Sequence, residues 1–386
     1  MKSEWEALRL SDIAFFNPTE KLTKGTMSKK VAMDKLQPFR RDIPSYEWEA
    51  FSGGTKFRNG DTIMARITPC LENGKTAKVN IFEDGEVGFG STEYIVFRAK
   101  ETTDPDYLYY LVCSPIVREP AIKSMVGSSG RQRVQTSVLE NLIVEVPTFE
   151  EQKRIGGLLK ALDDKIELNN RINNNLLQQA QALFKARFVD LLPFDGEMPP
   201  DWHSGTVSEV IELHDSKRIP LSSRERAALA KVYPYYGATS IMDYVDRYLF
   251  DGIYLLLGED GTVVDNAGYP ILQYVEGKFW VNNHAHILTG KNGFTVELLY
   301  LLFSLTNVAS IVTGAVQPKI SQANLNKVPI IIPSIEELHM MDDQVQPIFA
   351  EIRNLRAEND RLAAVRDTLL PKLMNGELDV SNVNIL

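Results

Sequence analysis

An internal repeat is the feature that most constrains how this chain can fold. Two long helical patterns, at residues 150–188 and 335–374, each follow a short strand-like segment that ends in a proline, Pro147 or Pro333. When the two prolines are aligned, the hydrophobic positions on both sides of them coincide. A period of about 190 residues is too long for a solenoid. The sequence therefore predicts two homologous globular domains, each followed by one long helix.

Both helical patterns have the spacing of a coiled coil. Hydrophobic residues of the second helix alternate spacings of three and four, and the aligned positions of the first helix follow the same period. One narrow apolar stripe per helix needs one partner helix, so we expect the two helices to pair with each other as an antiparallel coiled coil. The predicted interface residues are Ile155, Leu159, Leu162, Ile166, Asn173, Leu176, Leu183, Ile348, Ile352, Leu355, Asn359, Leu362 and Leu369.

Two features interrupt this apolar stripe. Asn173 and Asn359 occupy equivalent positions, and an asparagine in a coiled-coil interface lowers stability but fixes the register. The alternative is that these asparagines face a partner or a frayed site. Pro347 lies inside the second helix, where we expect it to kink or restart the helix.

The remaining patterns indicate mixed α and β structure. We place the first globular domain at residues 1–149, the first helix at 150–192, the second globular domain at 193–334, and the second helix with a short tail at 335–386. Strand-like segments recur in both domains: residues 61–65 resemble 252–256, and residues 89–98 and 279–288 are each expected to form one strand. The predicted fold class is α+β, with two homologous mixed α/β domains, two long helices and internal pseudo-two-fold symmetry.

Composition excludes several classes of protein. The formal net charge is −9, which argues against a protein that coats DNA or anionic membranes without specificity. Two cysteines, Cys70 and Cys113, make neither a disulfide framework nor a four-thiolate zinc site, and they suit a reducing cytosol. The N-terminus has no signal-peptide pattern, and the apolar runs are far shorter than the ~20 residues that span a bilayer. We expect a cytoplasmic protein with no membrane segment.

The sequence offers little that resembles catalysis. It contains no phosphate-binding loop of the G-x-x-x-x-G-K-[ST] type. Asp265, Glu276 and Lys278 fit a loose pattern of metal-dependent nucleases, but a solvated hairpin is the favoured interpretation. His284 and His286 alternate on a predicted strand, and two histidines without a third ligand are a poor metal site. We therefore predict no catalytic residues, no metal ligands and no cofactor in this chain.

Basic residues, by contrast, suggest contact with a nucleic acid. The first 149 residues carry as many basic as acidic residues, so the acidic excess lies in the rest of the chain. Bases interleaved with aromatic and amide side chains suit phosphate positioning and base-edge recognition, although a solvated surface remains the alternative for any one residue. The candidates are Lys29, Lys30, Arg40, Arg41, Arg66, Lys75, Lys78, Arg131, Gln132, Arg133, Lys217, Arg218, Arg224, Arg226, Lys231, Tyr235, Tyr236, Gln317 and Lys319.

Several motifs together resemble one protein family. Residues 146–155 (VPTFEEQKRI) and 162–166 (LDDKI) look like its central conserved helix, and residues 369–378 (LLPKLMNGEL) end a second copy. Three further types of segment, RITPCLENGK at 66–75, YPYYGA at 233–238 and the paired GSSGRQRV and GAVQPKI before each helix, look like its target recognition domains. On these motifs the chain resembles the specificity subunit of type I restriction–modification systems, over almost its whole length.

The resemblance implies a non-catalytic DNA-recognition subunit that acts in antiviral defence. Its partners would be double-stranded DNA, two methyltransferase subunits and two restriction subunits, and S-adenosylmethionine, ATP and Mg²⁺ would belong to those subunits. Because the two domains differ in sequence, we expect a bipartite, non-palindromic target with one half per domain and a gap set by the helices. The alternative is a non-catalytic coiled-coil scaffold or binding module of another defence complex, which recognises protein or RNA.

Overall fold

The computed structural model describes residues 5–128, 130–314 and 316–380, and it divides into two compact units. The first unit contains Met1–Asn170 and Arg356–Leu386, and the second contains Arg171–Leu355. Residues 1–4 and 381–386 of the predicted domains, and the motif residues Ser129 and Ala315, lie outside the described residues. Each long helix contributes residues to both units.

The first unit begins as a strand-rich domain. Its strands are β1 (Glu6–Arg9), β2 (Ala14–Phe16), β3 (Met27–Val31), β4 (Glu47–Ala50), β5 (Thr55–Phe57), β6 (Thr62–Ala65), β7 (Thr76–Lys78), β8 (Gly88–Gly90), β9 (Tyr94–Ala99) and β10 (Ile143–Val146). Its short helices are α1 (Leu10–Ile13), α2 (Pro105–Cys113), α3 (Pro115–Lys123) and α4 (Thr136–Glu140), and α5 (Phe149–Phe184) is the first long helix. The predicted strand at 89–98 is two strands, because a turn separates β8 from β9.

Two four-stranded sheets and a two-stranded ribbon organise this unit. The sheets have the orders β2-β9-β6-β7 and β4-β3-β8-β5, and the ribbon pairs β1 with β10. Helix α2 starts sharply because the Asp104 side chain accepts hydrogen bonds from two backbone N–H groups of its first turn and Pro105 follows at the first helical position. Its apolar side packs on the β-sheet core together with Ile155 and Leu159 of α5 and with Leu373 at the end of the second long helix.

The second unit has a related plan, with one six-stranded sheet in place of the two four-stranded sheets. Its strands are β11 (His203–Thr206), β12 (Ile211–Leu213), β13 (Tyr233–Tyr236), β14 (Ile241–Val245), β15 (Phe250–Gly258), β16 (Leu272–Val281), β17 (Ala285–Gly290) and β18 (Pro329–Ile332). Its helices are α6 (Ser223–Ala227), α7 (Val296–Ser304), α8 (Gln322–Leu325) and the long helix α9 (Ile335–Met374). The sheet order is β12-β17-β15-β16-β13-β14, with a separate β11-β18 ribbon. As in the first domain, the single strand predicted at 279–288 is two strands.

Strand registers show which residues of the two units are equivalent. Ala65 pairs with Tyr94 at the end of β6, and Gly258 pairs with Ala285 at the end of β15. The sequence alignment of residues 61–65 with 252–256 is therefore wrong by two positions. Because side chains alternate with a period of two along a strand, a shift of two keeps the same pattern of buried and exposed residues. Sequence alone had no signal with which to detect it.

Within the first unit, α5 and α9 run antiparallel. Arg366 binds Asp163 at 2.6 Å, and farther along α5 the Asn169 amide donates to Asn359 at 2.9 Å. Asn359 also donates to Asn170 at 3.0 Å. Within the first unit, the side-chain amide of Asn359 is therefore held by Asn169 and Asn170. The predicted fold class, two repeated mixed domains with two long paired helices, is confirmed.

Two details of the helix predictions are wrong. Leu183 was expected at the interface but is 41% exposed, whereas Phe184 is 2% exposed and packs in the core of the second unit with Ala180 and Phe349. Leu183 and Phe184 are both hydrophobic, and either fits the apolar stripe of the helix, so the sequence pattern did not distinguish them. Pro347 does not restart α9, which is continuous from Ile335 to Met374. No helix in the described part of the chain is long and apolar enough to cross a membrane.

Candidate nucleic-acid interface

Two segments that the sequence marked separately meet in the first unit. Residues 66–68 leave the end of β6 and lie beside the loop that closes at residues 126–134. Val134 donates its backbone N–H to the Arg66 carbonyl at 2.9 Å, and Thr68 donates to the Gln132 carbonyl at 3.0 Å. Arg133 forms β-bridges with both Ile67 and Val126. We call residues 66–68 with the described residues of 126–134 the first clip.

The second unit contains the same arrangement, which we call the second clip, at residues 259–261 and the described residues of 313–320. Ile320 donates to the Glu259 carbonyl at 2.9 Å, and Gly261 donates to the Pro318 carbonyl at 3.0 Å. Lys319 forms bridges with Asp260 and Thr313. The backbone bonds make Arg66 equivalent to Glu259, and Arg133 equivalent to Lys319. A single backbone frame therefore occurs in both units.

The side chains on this frame differ between the clips. In the first clip, Arg133 binds the Glu93 carboxylate through Nε at 2.9 Å and Nη2 at 2.6 Å. These hydrogen bonds hold the pKa of Glu93 below its usual value. In the second clip, Lys319 contacts Glu259 at 3.1 Å. Arg131 and Gln317 occupy equivalent exposed positions, so one clip presents a guanidinium where the other presents an amide.

Both halves of the repeat match one family of known proteins. Residues 2–178 and 199–362 each match the family model described as the type I restriction modification DNA specificity domain. The chain belongs to this family of specificity subunits. The double match also agrees with the internal repeat, and the resemblance drawn from the sequence motifs is confirmed.

Relatives of this specificity subunit cover most of its length. It is 27% identical over 313 residues to the specificity subunit of the type I restriction enzyme MjaIX of Methanocaldococcus jannaschii, covering 74% of this chain and 71% of that protein. It is 24% identical to the HindI specificity subunit of Haemophilus influenzae, covering 88% of this chain and 89% of that one. A solved type I S subunit from M. genitalium shares the fold, with a TM-score of 0.51, 16% identity and 96% coverage of both chains.

Three predicted DNA-binding residues of the first unit already form ion pairs with acidic residues of the specificity subunit itself. Arg41 is 7% exposed and binds Asp164 of α5 at 2.6 Å and Asp42 at 2.9 Å. Lys29 is buried and donates to the Ile81 carbonyl and to Glu86. Lys78 is paired with Asp106, and burial lowers its pKa against the attraction of that carboxylate. The structure corrects the expectation that these residues lie on an open basic surface.

The other predicted residues of the first unit are partly exposed. Lys30 binds Glu49 at 2.7 Å, and this hydrogen bond raises its pKa. Arg40 donates to the Gln37 side chain, and Lys75 donates to the Met33 carbonyl. Arg66 and Gln132 are half-buried in the first clip, where Arg66 Nη2 donates to the Val134 carbonyl at 3.2 Å. The first clip thus brings together Arg66, Arg131, Gln132 and Arg133, whereas Lys30, Arg40 and Lys75 have local partners elsewhere.

In the second unit the predicted residues fall into two groups. In one group, Arg218 binds Glu259 at 2.6 Å and Lys319 contacts it at 3.1 Å. Lys217 and Gln317 are exposed and lie close in sequence to these two cations. The other group surrounds Asp243, which accepts from Lys231 at 2.8 Å and Arg226 at 3.1 Å. The Arg226 guanidinium also lies 4.9 Å from the Tyr235 ring, which is buried and not on the surface as expected. Arg224 is exposed, and Tyr236 packs against Phe279.

A buried polar cluster that the sequence did not predict holds the second clip. His286 is fully buried, with Nδ1 at 2.6 Å from Asp215 and Nε2 at 2.8 Å from the Ile320 carbonyl. Gln322 donates to the same Asp215 carboxylate at 2.6 Å. Burial alone would raise the pKa of Asp215, but the hydrogen bond from His286 and the charge of that ring lower it. The cluster therefore ties the chain after β12 to the base of the clip.

Asp215, Glu259 and His286 lie close enough to ligate a metal ion in principle. Arg218, however, contacts Glu259 at 2.6 Å and Asp215 at 3.3 Å, so a guanidinium already supplies the positive charge between the two carboxylates. The loose nuclease pattern is not assembled either. Glu276 pairs with Arg353, and Lys278 lies over the Tyr248 ring. Asp265 instead caps its own turn by accepting from the Ala267 and Tyr269 backbone.

Two exposed aromatic residues were also missed. Trp48 of β4 is 58% exposed and Tyr244 of β14 is 44% exposed, each on the edge strand of its sheet. They are equivalent, because β4 and β14 are paired in the same way to β3 and β13. Each follows an acidic residue, Glu47 or Asp243, in an alternating strand segment, and that alternation was the sequence signal available.

Proposed function

We propose that this specificity subunit recognises a bipartite, non-palindromic DNA sequence, with one half contacted by each globular domain. The observation that supports this is the pair of clips. Both have the same backbone hydrogen bonds, but Arg66 is replaced by Glu259 and Arg131 by Gln317 at equivalent positions. A common backbone frame with different side chains is suited to reading two different half-sites from similar docking positions.

The chemistry of the exposed side chains suits contacts with a DNA groove. Arg131 offers a guanidinium, which pairs with the O6 and N7 atoms of guanine, and Gln317 offers an amide, which pairs with the N6 and N7 atoms of adenine. The lysines and arginines around each clip would contact phosphates and set the register. Because Arg133, Arg218 and Lys319 each also hold a carboxylate, non-specific affinity for DNA would stay modest, in line with the net charge of −9.

We further propose that the chain scaffolds two methyltransferase subunits and, in the restriction complex, two restriction subunits. In this division of labour, adenine methylation and ATP-dependent translocation and cleavage take place in the partners. S-adenosylmethionine, ATP and Mg²⁺ are then bound there, and this chain carries no cofactor. The complex would act in the cytoplasm, where it meets incoming DNA.

Exchange of one domain tests the proposal. Residues 1–149 are replaced by those of another family member, and methylated positions are mapped by single-molecule sequencing in cells that express the complete system. We expect one half of the target to change while the other half and the gap stay the same. The matched control exchanges residues 193–334 and should alter the other half. If either exchange changed both halves, modular recognition would be refuted. If purified complex bound no DNA at any salt concentration, the scaffold of protein or RNA partners would be the better explanation.

A further inference from the structure

The first unit contains a polar cleft beside the first clip. Its volume is about 320 Å³, and Arg66, Lys56, Glu20, Thr19, Thr55 and Thr92 contribute to its walls. Glu20 is neutralised within the protein, because Arg98 binds its carboxylate at 2.7 Å. Lys56 donates to the Glu20 carbonyl at 3.0 Å. Hydroxyl groups and two cations therefore dominate the chemistry that the cleft offers.

Arg66 is a residue of this cleft with unused hydrogen-bonding capacity. Its Nε is buried and has no hydrogen-bond partner among the described residues, while Nη2 donates to the Val134 carbonyl. A guanidinium has five N–H donors in a rigid plane, and a buried donor without a partner is destabilising. Because Nε is enclosed, an acceptor that enters the cleft would meet the Nη edge of this guanidinium, where Nη1 has no hydrogen-bond partner among the described residues either.

The second unit indicates what such a site accommodates. Its equivalent of Arg66 is Glu259, and its equivalent of Tyr94 is Ala285. The guanidinium of Arg218 lies against both, bonded to the Glu259 carboxylate at 2.6 Å and to the Ala285 carbonyl at 2.8 Å. In the second unit, the side chain of Arg218 therefore supplies a planar hydrogen-bond donor to the acidic side chain of Glu259. In the first unit the equivalent wall residue is a cation, Arg66, so the group complementary to it is an acceptor.

We infer that this cleft binds an acceptor group of DNA, either a phosphate oxygen or the O6/N7 edge of a guanine, with Arg66 as the principal donor. The inference rests on the proposed function, since it names the group that the first domain would hold. It also assigns the two domains different roles at equivalent positions: the first recognises DNA through an open cleft, and the second has that position filled by Arg218.

The test uses the complete methyltransferase complex and its mapped target. Arg66→Lys keeps the charge but removes the planar fork and Nε. We expect affinity for the target to fall roughly 5- to 150-fold, the range for loss of one bidentate base contact, with the second half-site still recognised. Lys21→Ala is the matched control, because Lys21 is an exposed cation in the chain just after the cleft residues and does not line the cleft. Its effect should be small and equal for all DNA sequences.

Modified DNA then distinguishes a local structural role from direct contact. Methylphosphonates are placed singly at each phosphate of the first half-site, and 7-deazaguanine at each guanine. One modification should weaken binding by the unaltered complex and have no further effect on the Arg66→Lys complex, because the two changes remove the same contact. If that modification is a methylphosphonate, the acceptor in the cleft is a phosphate oxygen; if it is a 7-deazaguanine, the acceptor is the edge of that guanine.

Three results would overturn the inference. The first is an Arg66→Lys complex that binds the target with unchanged affinity. The second is that the loss of affinity caused by every DNA modification simply adds to the loss caused by Arg66→Lys. The third is that Arg66→Lys and Lys21→Ala lower the affinity equally. If Arg66→Lys prevented assembly, Thr55→Val would replace it, since Thr55 lines the cleft and is not one of the clip residues, and normal binding by that variant would then refute the cleft. Failure of the unaltered complex to bind its mapped target would instead refute the proposed function itself.

Discussion

The choice between Leu183 and Phe184 as the buried residue of α5 gives the sharpest test of the packing. Phe184 is almost completely buried, and its ring lies 4.9 Å from that of Phe188 in an edge-to-face contact. Replacing a buried phenylalanine by alanine costs about 3–5 kcal/mol, because apolar contact is lost and a cavity remains. Leu183→Ala is the matched control one position earlier. Its side chain is largely exposed, and alanine is the better helix former, so the expected change is within about 0.5 kcal/mol.

Urea unfolding of the full-length chain measures this difference. Tryptophan fluorescence follows both units, since Trp5 and Trp48 lie in the first and Trp202 and Trp280 in the second. Trp202 is the probe nearest to the change, because it is buried with its ring 5.5 Å from that of Phe188. We expect Phe184→Ala to move the midpoint of this transition to much lower urea and Leu183→Ala to leave it nearly unchanged. Circular dichroism at 222 nm checks that both variants start with the same helix content. Equal midpoints for the two variants, or a larger loss for Leu183→Ala, would refute the packing and restore the interface predicted from the heptad pattern.

Two further predictions concern buried charges. Arg366→Met should destabilise the first unit by about 3–5 kcal/mol, because Asp163 would stay buried with the Tyr110 hydroxyl, at 2.6 Å, as its one remaining side-chain donor among the described residues. Asp367→Asn, at an exposed partner of the same arginine, should cost less than about 1 kcal/mol in the same denaturation experiment, and similar losses would show that the Asp163 contact is unimportant. The Asp215 carboxylate has a pKa below its ordinary value of 3.8, so its stabilising contribution is complete above that value and lost as pH falls through the lowered pKa. Thermal unfolding of Asp215→Asn should therefore lose less stability between pH 5 and acid than the unaltered chain, and parallel pH profiles would contradict this origin of the acid sensitivity.

The long helices were predictable because their signals are local. A heptad spacing needs only neighbouring residues, and the predicted second helix, 335–374, has the same bounds as α9. The first was predicted to reach residue 188, whereas α5 ends at Phe184 and a short π-helix follows over Lys185–Val189. Of the two outcomes expected at Pro347, a restart of the helix is excluded, because α9 is continuous through that residue. The choice of Phe184 over Leu183 depends on packing partners distant in sequence.

The candidate interface was predictable only in part. The motifs around Arg66, Arg131 and Gln317 stood out by composition, and the structure joins them into two equivalent clips. Their acidic partners did not stand out, because Glu93 lies 40 residues from Arg133 and Glu259 lies 41 residues from Arg218. For the same reason the sequence did not separate the buried Arg41 and Lys29 from the exposed Arg131.

By itself, the sequence determined the repeat, the two long helices and the family, since these follow from periodicity and from short contiguous motifs. Only the tertiary structure decided which basic side chains are already bound within the protein and which donors remain unused. That distinction depends on distances between residues far apart in the chain: Arg218 meets a carboxylate in the second unit, whereas the equivalent cleft in the first unit leaves Arg66 Nε with no partner among the described residues.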